Sequence, residues 1–311
     1  MDVYDDFQRY LRAKVTIDDR ALNKDVWKAL VREVTREHHR PLRVLEVGAG
    51  IGTMAQRLWR WRLHPSMLYT GVDSNSANIA YARQSLRAWT HEMQIATLTT
   101  AQGLMLQDGK RQLAISLVDK DALALAQHGD QSGAWDVLIA HAFLDLVDLS
   151  SALPLLLTLL RRGGWAYFTL NFDGVTVFEP VLDTSYEEEL MNAYHASMDQ
   201  RLVAGKPSGD SRSGRHLYGH LRAAGAEILA VGASDWVVIP QPRSGYLADE
   251  AYFLHFIIQT VHRELQAHPE VGGARLDAWA AKRHRQVESG ELFYLAHQLD
   301  YLAVVERKVS T

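Results

Sequence analysis

The chain contains no cysteine, which removes disulfides, thiolate metal ligands and a cysteine nucleophile in one step. No apolar run reaches the ~18 residues of a membrane-spanning helix. The opening residues Met1-Asp2-Val3-Tyr4-Asp5-Asp6 lack the basic start and apolar stretch of a secretory signal. The expectation is a soluble, cytoplasmic protein without a membrane partner. Positive charge is not in surplus either: 33 Lys and Arg stand against 37 Asp and Glu, a formal net charge of −4. Proteins that bind through phosphates draw affinity from clustered Lys and Arg, so nucleic acid is a poor fit as a partner. The 14 histidines show no HExxH or similar spacing, and no metal is expected. There is no serine-centred nucleophile elbow, no internal repeat and no low-complexity tract.

What is present is material for a large core, with 311 residues of which 47% are hydrophobic. Residues 1–40 read as an N-terminal helical segment, because Val26, Leu30, Val31 and Val34 recur at helical spacing and Pro41 ends the run. Short β-branched and apolar runs then alternate with helical stretches: 43–47, 67–72, 113–118, 135–140 and 165–170. That alternation predicts an α/β fold, a doubly wound and mostly parallel sheet with helices on both faces. Residues 226–231 add a strand, and 299–305 a final antiparallel strand placed at the sheet's end. The core is expected over 41–173 and 215–311, with a helical cap inserted at 248–288 and a lid or substrate loop at 174–214.

The densest signal is Val44-Leu45-Glu46-Val47-Gly48-Ala49-Gly50-Ile51-Gly52-Thr53, a strand running into glycines and then into a helix. Glycine permits a tight turn and lets a ligand approach bare backbone. A dinucleotide fingerprint needs G-x-G-x-x-G. Here the third glycine comes one residue early and Thr53 stands in its place, which speaks against NAD or FAD. At the end of the second strand, Gly71-Val72-Asp73-Ser74-Asn75 sets a carboxylate roughly 20 residues beyond the loop, as ribose binding requires. Ionised, Asp73 accepts hydrogen bonds from both ribose hydroxyls; the alternative is a helix N-cap, a role open equally to Ser74 or Asn75.

The pattern Glu46-x-Gly48-x-Gly50-x-Gly52 resembles the first motif of the Rossmann-like (class I) S-adenosylmethionine-dependent methyltransferases. The resemblance covers roughly 40–172, and 215–305 more loosely. It implies S-adenosyl-L-methionine as cofactor, held by Glu46, Gly48, Ala49, Gly50, Gly52 and Thr53 around the methionine part, by Asp73 and Ser74 at the ribose, and by Asp121 with Ala122 at the adenine, where Asp119 also stays open. His141, after the fourth strand, is similar in position to residues of that family that face the sulfonium. By its unperturbed pKa of about 6.5 His141 is the candidate catalytic base, with a structural histidine as the other reading. An Asn/Asp-Pro-Pro-Tyr segment is absent there, which counts against base methylation.

For an acceptor, Asn171 lies at the carboxyl edge of the fifth strand, and Arg212 or Arg215 could clamp a carboxylate or phosphate through a forked guanidinium. Arg20 could reach the cofactor's carboxylate if the N-terminal segment folds over the site. The expected partner is a small-molecule methyl acceptor, methylated on O or N by in-line displacement. A methyltransferase acting on protein or RNA and a non-catalytic cofactor-binding module are the alternatives.

Overall fold

The computed structural model describes residues 4–37, 40–100, 103–203, 205–242 and 245–305. Three helices come first: α1 (Phe7–Ala13), α2 (Val15–Ala21) and α3 (Lys24–Glu37). The sheet then begins with β1 (Leu42–Val47), α4 (Thr53–Arg60), β2 (Ser66–Asp73) and α5 (Ser76–Glu92). A hairpin of β3 (Ala96–Thr100) and β4 (Gly103–Asp108) leads into β5 (Arg111–Asp119), followed by α6 (Ala122–Gln127), β6 (Trp135–His141) and α7 (Leu149–Leu157). After the long β7 (Leu160–Glu179) come α8 (Thr184–Asp199), a small β8 (Leu202–Val203) and β9 (Lys206–Pro207) pair, α9 (Ser213–Ala223), β10 (Ala226–Ala233) and β11 (Trp236–Val238). The last elements are α10 (Glu250–Leu265), α11 (Ala274–Ser289) and β12 (Phe293–Val305).

The main sheet has the order β10-β12-β7-β6-β1-β2-β5-β4-β3. From β1 the chain steps outward through β2 to β5, then returns to the other side of β1 for β6 and β7. All of these neighbours are parallel. The fold is therefore the doubly wound α/β class, with its topological switch beside β1. β6 is buried along its whole length, as a central parallel strand covered on both faces must be. One face packs Val44, Met54, Leu58 and Tyr69 with α3, α4 and α5; the other packs Leu45, Leu138, Leu153 and Leu217 with α6, α7 and α9.

A third core lies beyond the sheet. β7 and β12 pair antiparallel from Trp165↔Val304 out to Glu179↔Phe293, so their far ends project as a ribbon. Phe178 and Tyr294 on that ribbon pack with Ile17, Tyr194, Phe253 and Trp279 from α2, α8, α10 and α11. The cap thus grows out of the sheet itself.

Three features differ from the sequence expectation. β12 is antiparallel but sits between β7 and β10, not at the sheet's end, because its length lets it pair on both sides. The β3-β4 hairpin extends the opposite edge; its β3 residues are mostly exposed, so no buried apolar run marked them. Of the stretch 174–214, the first six residues prolong β7, and α8 buries Tyr186, Leu190 and Tyr194 in the cap.

Candidate functional site

Four strand ends converge beside the switch point, where open α/β sheets bind ligands. The turn after β1, the end of β2, the start of α6 and the end of β6 line one cleft, with Glu46, Gly48, Ala49, Gly50, Thr53, Asp73, Ser74, Asp121, Ala122 and His141 all on its wall. Its volume of about 260 Å³ is near the lower bound for small-molecule pockets. From above, α1 closes it with Phe7 and Leu11, and Lys14 follows at the end of that helix. These positions fall on one helical face.

The glycines divide the work. Gly48 and Gly50 have φ of +66° and +52°, a backbone conformation in which a side chain is strained. Gly52 does not line the cleft; it is the left-handed N-cap of α4, and a Cβ there would press on Leu86 and Ala82 of α5. Its role is helix packing.

Asp73 organises the turn. Its Oδ2 accepts from the Gly50 N–H at 2.8 Å, and its Oδ1 accepts from the Asn75 N–H at 2.9 Å and from Asn78 Nδ2 at 3.2 Å. The cap of α5 is Asn75, which accepts from the Ala77 N–H, so Asp73 is spared that duty. Asp121 in contrast caps α6, accepting from the Ala124 N–H at 2.7 Å, while also bordering the cleft; Asp119 does not line it.

Glu46 is buried, accepts a short hydrogen bond from the Tyr69 hydroxyl and borders the cleft. Burial raises its carboxyl from the ordinary range to about 8, with the Tyr69 bond opposing. The group is protonated at neutral pH.

His141 sits in a buried polar network. Its Nε2 is 3.2 Å from both Asp18 Oδ2 and Arg57 Nη1, and its Nδ1 is 2.8 Å from Thr169 Oγ1. Asp18 further accepts from Lys14 Nζ at 2.8 Å and Trp236 Nε1 at 2.9 Å. Burial alone would raise Asp18, but Lys14, His141 and Arg57 together hold it well below the usual carboxylate range. Burial, opposed by Asp18, brings His141 down to about 4. The imidazole is neutral at pH 7, and both nitrogens are engaged. Ala142 beside it has φ of +50°, strain of a kind concentrated at functional sites.

The other residues singled out from sequence lie elsewhere. Arg20 donates to Glu250 at 2.6 Å and is half-exposed; the cations that line the cleft are Lys14, one and a half turns earlier, and Lys120. Asn171 is fully buried and donates to the Leu299 carbonyl on β12. Arg215 pairs with Asp173, and Arg212 lies against Gly174; none of these three lines the cleft. Lys14, Asp18 and Arg57 carried no motif in the sequence. The signal that could have found Arg57 is a charged residue on the apolar face of α4.

No protein-family model matches the chain, and no curated protein does. Among solved structures, it is similar to a SAM-dependent methyltransferase from Thiobacillus denitrificans in complex with S-adenosyl-L-homocysteine: 15% identity, 94% of this chain and 97% of that one covered, TM-score 0.44. It is also similar to a putative sarcosine dimethylglycine methyltransferase from Galdieria sulphuraria (14% identity, 95% and 86% covered, TM-score 0.42). A third is the [4+2]-cyclase SpnF (17% identity, 91% and 81% covered, TM-score 0.41).

Proposed function

We infer that the cleft binds S-adenosyl-L-methionine and that the protein transfers its methyl group to O or N of a small molecule. The observation that carries this is the meeting, in one cleft, of a glycine turn, the Asp73 carboxylate at the next strand's end and the buried Glu46 carboxyl. Together they offer what a ribose diol and a cationic methionyl group need. The residues fit the cofactor: Asp73 can accept from ribose hydroxyls, Glu46 can compensate a cation once ionised, and Asp121 with Ala122 borders the adenine end. A cofactor of this kind supplies an electrophilic methyl group on a good leaving group.

The chain's task is then to align an acceptor and exclude water. Phe7 and Leu11 of α1 cover the cleft, which suits a small acceptor better than a protein or RNA surface. With both ring nitrogens committed, His141 acts as a positioning residue: it ties α2 to the end of β6 and holds Lys14 and Arg57 in place through Asp18. Direct base catalysis by His141 is not part of this reading.

The test is calorimetric titration with S-adenosylmethionine and S-adenosylhomocysteine, on wild type and Asp73→Ala. Hydrogen bonds to a charged group contribute about 1.5–3 kcal/mol, so the variant should bind at least tenfold more weakly with its circular dichroism unchanged. Folded wild type that binds neither ligand sinks the reading. A protein that binds both but transfers no labelled methyl group to any small acceptor is the non-catalytic module.

A further inference from the structure

The two cations on the cleft wall stand in different surroundings. Lys120 is exposed, and its backbone N–H donates to the Asp73 carbonyl at 3.0 Å, which places it beside the carboxylate assigned to the ribose. Lys14 is buried, only 6% exposed, and is tied through Asp18 to His141 at the end of β6. It forms the junction of α1 and α2, closing the first helix and opening the second. This cation reaches the cleft with the cover, on the helical face of Phe7 and Leu11.

An ammonium carries three N–H donors. Among the described residues, that of Lys14 has a single hydrogen-bond partner, Asp18 Oδ2 at 2.8 Å, with the Trp236 ring 5.3 Å from Nζ. Asp18 is fully engaged: Oδ2 also meets Arg57 and His141, and Oδ1 accepts from Trp236 Nε1. The charges are unequal too, since Lys14, Arg57 and Arg60 face only Asp18 and Asp19 in this network.

The acids that line the cleft do not redress this. Asp73 accepts from Gly50, Asn75 and Asn78, and Asp121 caps α6. Glu46, raised by burial, keeps its proton at neutral pH. A buried charge is costly unless it is paired and hydrogen-bonded, and charge-assisted hydrogen bonds are the strong ones. An ammonium with unused donors beside a cleft therefore suits an anion, and a surplus of one charge matches a carboxylate better than a doubly charged phosphate.

We propose that Lys14 is the carboxylate-binding residue of the cleft and makes it selective for ligands that carry this group. The inference deepens the methyltransferase reading and rests on it for the ligands concerned. Two molecules of that reading can bring a carboxylate: the cofactor, through its methionyl part, and an acidic acceptor. Either accepts from the unused N–H groups of Lys14 and leaves the Asp18 contact intact. Because Lys14 belongs to the α1–α2 junction, the same bond fastens the cover over the ligand. Lys120, at the ribose, takes no part.

The experiment has two calorimetric arms, both on the full-length protein as wild type, Lys14→Gln and the charge-retaining Lys14→Arg. The first compares S-adenosylhomocysteine with its decarboxylated analogue S-adenosyl-3-thiopropylamine, which keeps the nucleoside, thioether and amine. The second titrates acetate and benzoate, with acetamide and benzamide as neutral controls, with and without saturating S-adenosylhomocysteine. If the cofactor brings the carboxylate, wild type prefers S-adenosylhomocysteine by roughly tenfold or more. Lys14→Gln then narrows the preference to within about twofold and keeps its affinity for the analogue. If the acceptor brings it, that preference is the same in Lys14→Gln, while a carboxylate binds loaded wild type and not the loaded variant. Lys14→Arg stays closer to wild type in both cases. A merely structural Lys14 would instead weaken both nucleosides equally in Lys14→Gln, and that result overturns the proposal. So does wild type without preference for a carboxylate in either arm, a result that needs no variant to fold. Failure of the cofactor reading shows separately, as wild type that binds neither nucleoside; Lys14-dependent carboxylate binding to the unloaded protein then upholds the proposal, and its absence sinks it.

Discussion

Asp18 Oδ2 on α2 lies 3.2 Å from His141 Nε2 at the end of β6, 123 residues further along the chain. With Lys14 and Arg57 on the same carboxylate, this contact fastens the covering helices to the sheet. Lys14 pairs with this acid at 2.8 Å, while Arg57 is shared between Asp18 at 3.5 Å and Asp19 at 2.7 Å. Breaking a buried pair by removing one partner costs about 3–5 kcal/mol, so Asp18→Asn should lower unfolding stability by that amount. The comparison is Asp249→Asn, which loosens Arg9 at the surface and should cost about 0–1 kcal/mol. Equal urea midpoints for the two variants would show that the network is not buried as described.

The pH dependence follows from the same site. His141 has its folded pKa brought down to about 4, mainly by burial, below the ordinary value near 6.5. Between those values the unfolded chain binds a proton that the folded chain does not, so stability rises with pH. His141's contribution is complete above about pH 6.5 and is lost as pH falls through about 4. At roughly 1.4 kcal/mol per unit, the loss amounts to about 3 kcal/mol. His141→Gln should flatten the stability curve between pH 4 and 6.5. In wild type the kcat/KM profile should carry no inflection from this residue near 6.5; one that vanishes in His141→Gln would restore the base role.

Glu46 behaves in the opposite sense. Raised to about 8, it keeps its proton at pH 7 in the ligand-free fold, and its stabilising effect fades as pH climbs toward 8. A cationic ligand in the cleft favours the carboxylate form. Binding of S-adenosylmethionine should therefore release close to one proton at pH 7, read as different apparent enthalpies in phosphate and Tris. Glu46→Gln should abolish that difference. Wild type whose enthalpy is the same in both buffers rules out the linkage.

The parts legible in sequence were those with a local chemical mark. Clustered glycines announced the turn after β1, and Asp73 followed at a spacing that the βαβ unit dictates. Lys14 and Asp18 bore no mark, because their importance comes from α1 and α2 folding over the cleft, a long-range contact. Arg20 is a cation of the same segment, yet helical geometry turns it toward Glu250. By sequence Asn171 reads as a strand end; β7 instead continues to Glu179, and Asn171 bonds across to β12.

The glycine turn supplies a test that separates binding from packing. An alanine Cβ at Gly48 would stand 2.4 Å from Phe143 Cδ2, and one at Gly52 would stand 3.3 Å from Leu86 Cδ1, each at positive φ. The backbone strain is similar in the two, about 1–3 kcal/mol. Their consequences differ, since Phe143 lines the cleft and Leu86 does not. Gly48→Ala should push Phe143 aside and weaken S-adenosylhomocysteine binding more than tenfold. Gly52→Ala should show a comparable drop in melting temperature with affinity nearly intact. If both variants lose affinity in proportion to their loss of stability, the turn acts only as a fold element and Phe143 has no part in the ligand site.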